Sequence, residues 1–240
     1  MTSHDVRAPL APRILAWSVH LFTASGGVLG ALALWEVGRG GFARAALYML
    51  ASLSIDAVDG TLARRVRVSE RIPWVDGRRL DDVIDYLNFA IVPVVFLLAA
   101  GALVHWSVAA LPVLASSYGF AQVDAKTEDD FFLGWPSYWN VVALYVWLLE
   151  LTPATATTWV VVLSALVFVP LKYVYPSKLR RFRRTMVIGG TLWVWLLAFA
   201  VWFPEAMARW HAVELSLVYP ALYVGFSAWL GAWWRPARPA

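Results

Sequence analysis

The chain has 240 residues, of which 60% are hydrophobic and 15% charged, with a formal charge of +4 and a mean hydropathy of +0.62. Soluble domains typically carry about 45–50% apolar and about 25% charged residues, so an ordinary water-soluble domain is excluded. No cysteine is present, which excludes a disulfide framework and thiol chemistry. A helix needs about 20 apolar residues to cross a bilayer. Eight apolar stretches follow one another, at roughly 14–37, 43–58, 82–104, 106–122, 138–152, 154–174, 186–203 and 214–234. The second, fourth and fifth are short for a full crossing. The first is too long, and lacks the small-residue cleavage site, for a secretory signal. The expectation is one all-α integral membrane domain, residues 1–240, of about eight transmembrane helices.

Basic residues set the orientation. With the N-terminus in the cytoplasm, every Lys and Arg of the 20 falls on the cytoplasmic side except Arg39, Arg44 and Arg209. That predicts an N-in, C-in topology. It also accounts for the basic pI without a nucleic-acid partner, and basic loops of this kind attract anionic membrane lipids. Trp35, Trp74, Trp106, Trp135, Trp202, Trp233 and Trp234 stand near predicted helix ends, as interfacial belts do. His4, His20, His105 and His211 show no ligand spacing.

Two acid pairs stand out against this background. Asp56 and Asp59 are three residues apart at the end of the second span, and Asp81 and Asp85 four apart where the third begins. Spacings of three and four share a helix face. Carboxylates gathered at a membrane repel one another and are costly to desolvate. A hard divalent cation such as Mn²⁺ or Mg²⁺ relieves both costs. The plainer alternative is that these acids face water or pair with Arg64, Arg78 and Arg79. Gly60 and Ala63 leave room for a bulky group, Gly77 does the same at the next helix, and Arg64 suits a phosphate oxygen. Together these are the parts of phosphoryl transfer, which works by positioning and charge stabilisation.

Asp56-x-x-Asp59-Gly60-x-x-Ala63-Arg64 followed by Gly77-x-x-x-Asp81-x-x-x-Asp85 resembles the signature of the CDP-alcohol phosphotransferases. The spacer between the halves, residues 65–76, is longer than in most of that family and is similar to that of the bacterial phosphatidylcholine synthases. "AWSVHLFTASG", "DYLNFAIVP", "DAKTEDDFFLGWPSYWN" and "VPLKYVYPS" resemble the same subfamily, so the likeness covers about residues 16–185. It implies a helical bundle of that family in the bacterial inner membrane, with its active site facing the cytoplasm. The implied reaction is transfer of the phosphatidyl group of CDP-diacylglycerol to choline, giving phosphatidylcholine and CMP, with Mn²⁺ or Mg²⁺. Carried over by position, Asp56, Asp59 and Asp81 hold metal, and Asp85 adds a ligand, acts as general base, or both; Asp81 and Asp85 are the catalytic pair. Asp59, Gly60, Ala63, Arg64 and Gly77 shape the CDP pocket. A homodimer is a further expectation for the partners.

Choline has no N–H to donate, so aromatic faces are the expected grip. The candidates at the cytoplasmic level are Tyr86, Phe89, Tyr118, Phe120, Trp135, Tyr138 and Trp139, with Asp124 and Glu128 as acidic alternatives on a loop that is otherwise simply solvated. "KLRRFRR", residues 178–184, reads as a positive-inside anchor or as an attractor of the anionic liponucleotide. Two other readings stay open: a different acceptor (glycerol phosphate, inositol phosphate or serine), and a cation transporter. Against the transporter stand the acids' place at helix ends and the lack of a sequence repeat.

Overall fold

The first two apolar runs fold as α1 (Leu10–Gly38) and α2 (Phe42–Val66), in a computed structural model that describes residues 10–123, 125, 127, 129–176, 178, 179, 182–231 and 233. The turn between them needs a left-handed Gly40 (φ +74°) and is closed by an Arg44–Glu36 ion pair of 2.8 Å. The second run was expected to end near residue 58. The helix instead continues for two more turns to Val66, because the polar sequence there lowers hydropathy without breaking helical propensity. It stops at Arg67, which takes a left-handed cap (φ 53°). A short α3 (Val68–Arg71) leads to α4 (Gly77–Asp85), whose first N–H groups are received by the Asp76 side chain, an N-cap that ends the long spacer.

From α4 the chain runs on through a π-turn (Tyr86–Ile91) into α5 (Val92–Ala99). Pro93 has no N–H to offer the preceding turn, and the helix widens just ahead of it. A 3₁₀ turn (Trp106–Ala109) and α6 (Ala110–Ala121) follow, then β1 (Phe131–Leu133), α7 (Trp139–Leu148) and α8 (Pro153–Val167). The sixth span was expected to reach residue 174. It ends at Val167, ahead of Pro170, and the chain beyond it forms β2 (Lys172–Val174), antiparallel to β1. Lys172 pairs with Asp129 across this small sheet. Burial alone would raise the Asp129 carboxyl, but hydrogen bonds from Lys172 and Thr127, with the Lys172 charge, together hold the group below its usual range. The chain closes with α9 (Arg183–Trp202), α10 (Pro204–Ala208), α11 (Ala212–Ser216) and α12 (Val218–Leu230).

Five helices among the described residues are long and apolar enough to cross a membrane: α1, α2, Gly77–Ala99, α9 and Ala212–Leu230. Trp106–Ala121, α7 and α8 are apolar but shorter. The protein is a mainly helical, multi-pass membrane protein with one small two-stranded sheet.

α1 lies along α2 on one side and along α4 and the π-turn on the other. Gly26, Gly27 and Gly30 make the second contact close. A Cβ on Gly30 would stand 2.6 Å from Asn88 Oδ1, while Asn88 Nδ2 donates to the carbonyls of Gly26 (3.0 Å) and Ile84 (3.1 Å). Gly30→Ala is therefore expected to destabilise the fold by about 1–3 kcal/mol, the usual cost of overpacking. A lower thermal unfolding midpoint in detergent checks this, and an unchanged one contradicts it.

Candidate active site

α2 and α4 meet at one end of the bundle, and their acids face one cavity of about 1010 Å³. Asp56 projects from α2, and Asp81 and Asp85 from α4. One carboxylate oxygen from each lies within 4.8 Å of the others. An octahedral Mg²⁺ with bonds of about 2.0–2.1 Å spans up to about 4.2 Å between opposite ligands, so small side-chain rotations bring all three onto one cation. Three carboxylates, in a chain without cysteine, are also the donor set that a hard cation selects. The residues fit such an ion.

Asp59 does not join this triad. It lines the same cavity, but it is 4% exposed and accepts a hydrogen bond of 2.8 Å from Thr23 Oγ1 of α1, itself 8% exposed. A hydrogen bond to a charged group contributes about 1.5–3 kcal/mol. Thr23→Val, which removes the donor and keeps the shape, is therefore expected to lower turnover about tenfold or more, and Thr23→Ser to keep most of it. Equal rates for Val and wild type contradict a positioning role.

Arg64 and Arg78 both reach the cavity wall. Gly60 lines it too, and a Cβ there would meet only Arg64 Nη1, at 3.4 Å. Its missing side chain leaves open cavity rather than a helix contact. Ala63 and Gly77 behave differently. Ala63 packs on the cluster of Ala16, Val19, Val68 and Ile72, and a Cβ on Gly77 would stand 3.0 Å from the His20 ring. Neither is among the residues that line the cavity; both lie where α2 and α4 pack against α1. Asp82 lies on the cavity wall beside Asp81, outside the triad.

The aromatic candidates divide. Phe89, Phe120, Trp135 and Tyr138 line the cavity. Tyr86, Tyr118 and Trp139 do not. The Tyr86 hydroxyl bonds Ser117 Oγ at 2.8 Å, Tyr118 is half exposed against Phe168, and Trp139 is fully buried with its Nε1 donating to Ser116 Oγ at 2.8 Å. Asp124 and Glu128 lie outside the described residues, as do Arg180 and Arg181 of the basic stretch, whose Lys178 pairs with Asp130 at 3.5 Å. Sequence reading missed Tyr219 and Tyr223 of α12, which complete the wall. Their spacing of four was a usable signal; their place in the last span, far in sequence from the acids, hid it.

From the acids the cavity lining runs on along α2 and α9 through Leu50, Ser54, Val187, Thr191 and Trp195, a mostly apolar path on which the Ser54 and Thr191 hydroxyls donate to the carbonyls of Leu50 and Val187 on their own helices. Val187 and Trp195 are exposed on the bundle surface. A polar head and an apolar side exit thus share one space.

Comparison with known proteins gives a consistent result. The chain is 35% identical over 223 residues to a phosphatidylcholine synthase of Legionella pneumophila, covering 88% of this chain and 87% of the relative. It is 33% identical over 226 residues to one from Pseudomonas aeruginosa, covering 90% and 94%, and 37% identical over 177 residues to one from Legionella bozemanae, covering 72% and 82%. No family model matches the chain.

Proposed function

The chain belongs to the phosphatidylcholine synthases, and from that premise we propose that it transfers the phosphatidyl group of CDP-diacylglycerol to choline, releasing CMP, at the cavity shared by α2 and α4. The observation that carries this reading is the triad Asp56, Asp81 and Asp85 facing a cavity that also holds Arg64 and continues into an apolar path.

The choline hydroxyl oxygen attacks the phosphorus that bears the diacylglycerol. As this O–P bond forms, the phosphoanhydride bond to the CMP phosphate breaks, and CMP leaves with the electron pair. The hydroxyl proton passes to a carboxylate, since an unassisted alcohol is a poor nucleophile. Asp85, nearest in sequence to the Phe89 side of the cavity, is the base. Asp56 and Asp81, with Asp85 where its lone pairs allow, are the residues that hold Mn²⁺ or Mg²⁺. When bound, the cation neutralises diphosphate charge and eases departure of CMP. Asp59, fixed by Thr23, faces the same head group from α2. Arg64 and Arg78 meet the diphosphate oxygens, and the bare Gly60 backbone allows the nucleotide close approach. The acyl chains leave sideways between α2 and α9, past Val187 and Trp195, so the lipid need not quit the membrane to react.

The arginine-rich stretch from Arg64 to Arg79 surrounds this end of the bundle, which by the positive-inside rule is the cytoplasmic end of a bacterial inner-membrane protein. In that orientation, the soluble partners choline and CMP enter and leave from the cytoplasm.

Incubation of the purified protein with CDP-diacylglycerol, Mn²⁺ and radiolabelled choline tests the reading. The label is expected in an organic-extractable product, equimolar with CMP. CMP release without lipid labelling contradicts it.

A further inference from the structure

A trimethylammonium group carries a diffuse charge and no hydrogen-bond donor. It is recognised by stacked π faces, at about 0.5–2 kcal/mol each and more where water is excluded. Next to the acids, one run of rings has this character. Phe89, four residues beyond Asp85, meets Tyr138 edge-on with centroids 6.2 Å apart, and Tyr138 meets Tyr223 of α12 edge-on at 6.0 Å. Tyr219, one turn before Tyr223, lines the same cavity, as do the other three.

The surroundings hold these rings in place. Ser137 takes a left-handed conformation (φ 56°) between Trp135 and Tyr138, a strained turn that both flanking rings use to reach the cavity. Tyr219 stacks on Trp193 at 5.3 Å, and its hydroxyl donates to the Met186 carbonyl at 3.0 Å. It fits only because position 190 is glycine, where a Cβ would stand 2.7 Å from that hydroxyl. Tyr223 is held by its edge-on ring contact with Tyr138. β2 lies across α12 one turn further on, with Val174 N–H donating to Ser227 Oγ at 3.0 Å. The rings are thus sheltered from water on that side.

We propose that Tyr219 and Tyr223 of α12 complete, with Phe89 and Tyr138, an aromatic box for the trimethylammonium group of the acceptor, and so select choline over alcohols that lack a quaternary cation. The box rests on the acceptor assignment made above. It adds the C-terminal helix, which carries none of the acids, as the element that sets acceptor choice. The acids and the box are then separable parts: one activates the hydroxyl, the other holds the far end of the same small molecule.

The test uses the full-length protein with two acceptors of one shape, choline and 3,3-dimethylbutan-1-ol, in which a neutral tert-butyl group replaces the trimethylammonium. The wild type is expected to show a KM for choline at least about tenfold below that for the neutral alcohol, about 1.4 kcal/mol of charge recognition. Tyr219→Leu and Tyr223→Leu are each expected to raise the choline KM about tenfold, with the neutral alcohol and CDP-diacylglycerol moving less than about twofold. Tyr223→Phe, which keeps the ring, retains most of the discrimination. On the wild type alone, tetramethylammonium is expected to inhibit competitively with choline and not with CDP-diacylglycerol, a result independent of how any variant folds. An unchanged choline preference in both leucine variants, or no competition by tetramethylammonium, overturns the box while leaving the synthase reading intact. A wild type that forms CMP with neither alcohol overturns the acceptor assignment itself.

Discussion

Asp85→Asn and Asp56→Asn are each expected to lower kcat by about a thousandfold or more, with the protein still inserted in the membrane. Removing a general base alone typically costs about 10²–10⁴-fold, and losing a charge that stabilises the transition state adds to it. Asparagine keeps the shape of the side chain, so the loss reports charge and basicity rather than a cavity. Asp56, Asp81 and Asp85 share one cation-sized space, so any one substitution should disable the other two, and double variants should fall little further than singles. Asp82 offers the internal comparison. It lines the cavity but stands outside the triad, and Asp82→Asn is expected to lose no more than about tenfold. Initial rates of CMP release measure all of these. Two triad variants with near-normal rates would sink the metal-site reading.

Exhaustive chelation is the second large effect. Turnover is expected to fall by at least about a hundredfold and to return on adding Mn²⁺ or Mg²⁺. The donor set is all carboxylate, there is no cysteine in the chain, and no His belongs to the cluster, so soft or imidazole-preferring metals have little to bind. Isothermal titration with Mn²⁺ separates binding from catalysis: the wild type should take up the ion, and Asp56→Asn should bind it at least about tenfold more weakly. Full activity after chelation contradicts the account.

Much of this was legible in the residues. The acids at spacings of three and four marked a charged face at a helix end, and Arg64 lines the same cavity. The limits of that reading are physical. Asp59 shares a face with Asp56 on α2, yet its carboxylate turns to Thr23, and a single helix wheel carries no sign of a neighbouring helix. Ala63 and Gly77 were singled out because they are small, and smallness also serves close helix packing, which both show here against α1. The aromatic candidates after Asp85 were chosen for their place at the cytoplasmic level, which does not say where each ring points. In the π-turn Tyr86–Ile91, Phe89 reaches the cavity and Tyr86 turns to Ser117. β2 was hidden because residues 168–174, mostly apolar, read as the tail of a span. Tyr219 and Tyr223 were hidden by distance along the chain, which hydropathy cannot fold back.

The most direct measurement is the rate of CMP release by the purified protein, with saturating CDP-diacylglycerol and Mn²⁺, against choline, serine, glycerol 3-phosphate and inositol phosphate in parallel. Rapid release with choline, and release near background with the other three, is the predicted result. Release that ignores choline and follows one of the other acceptors would contradict it.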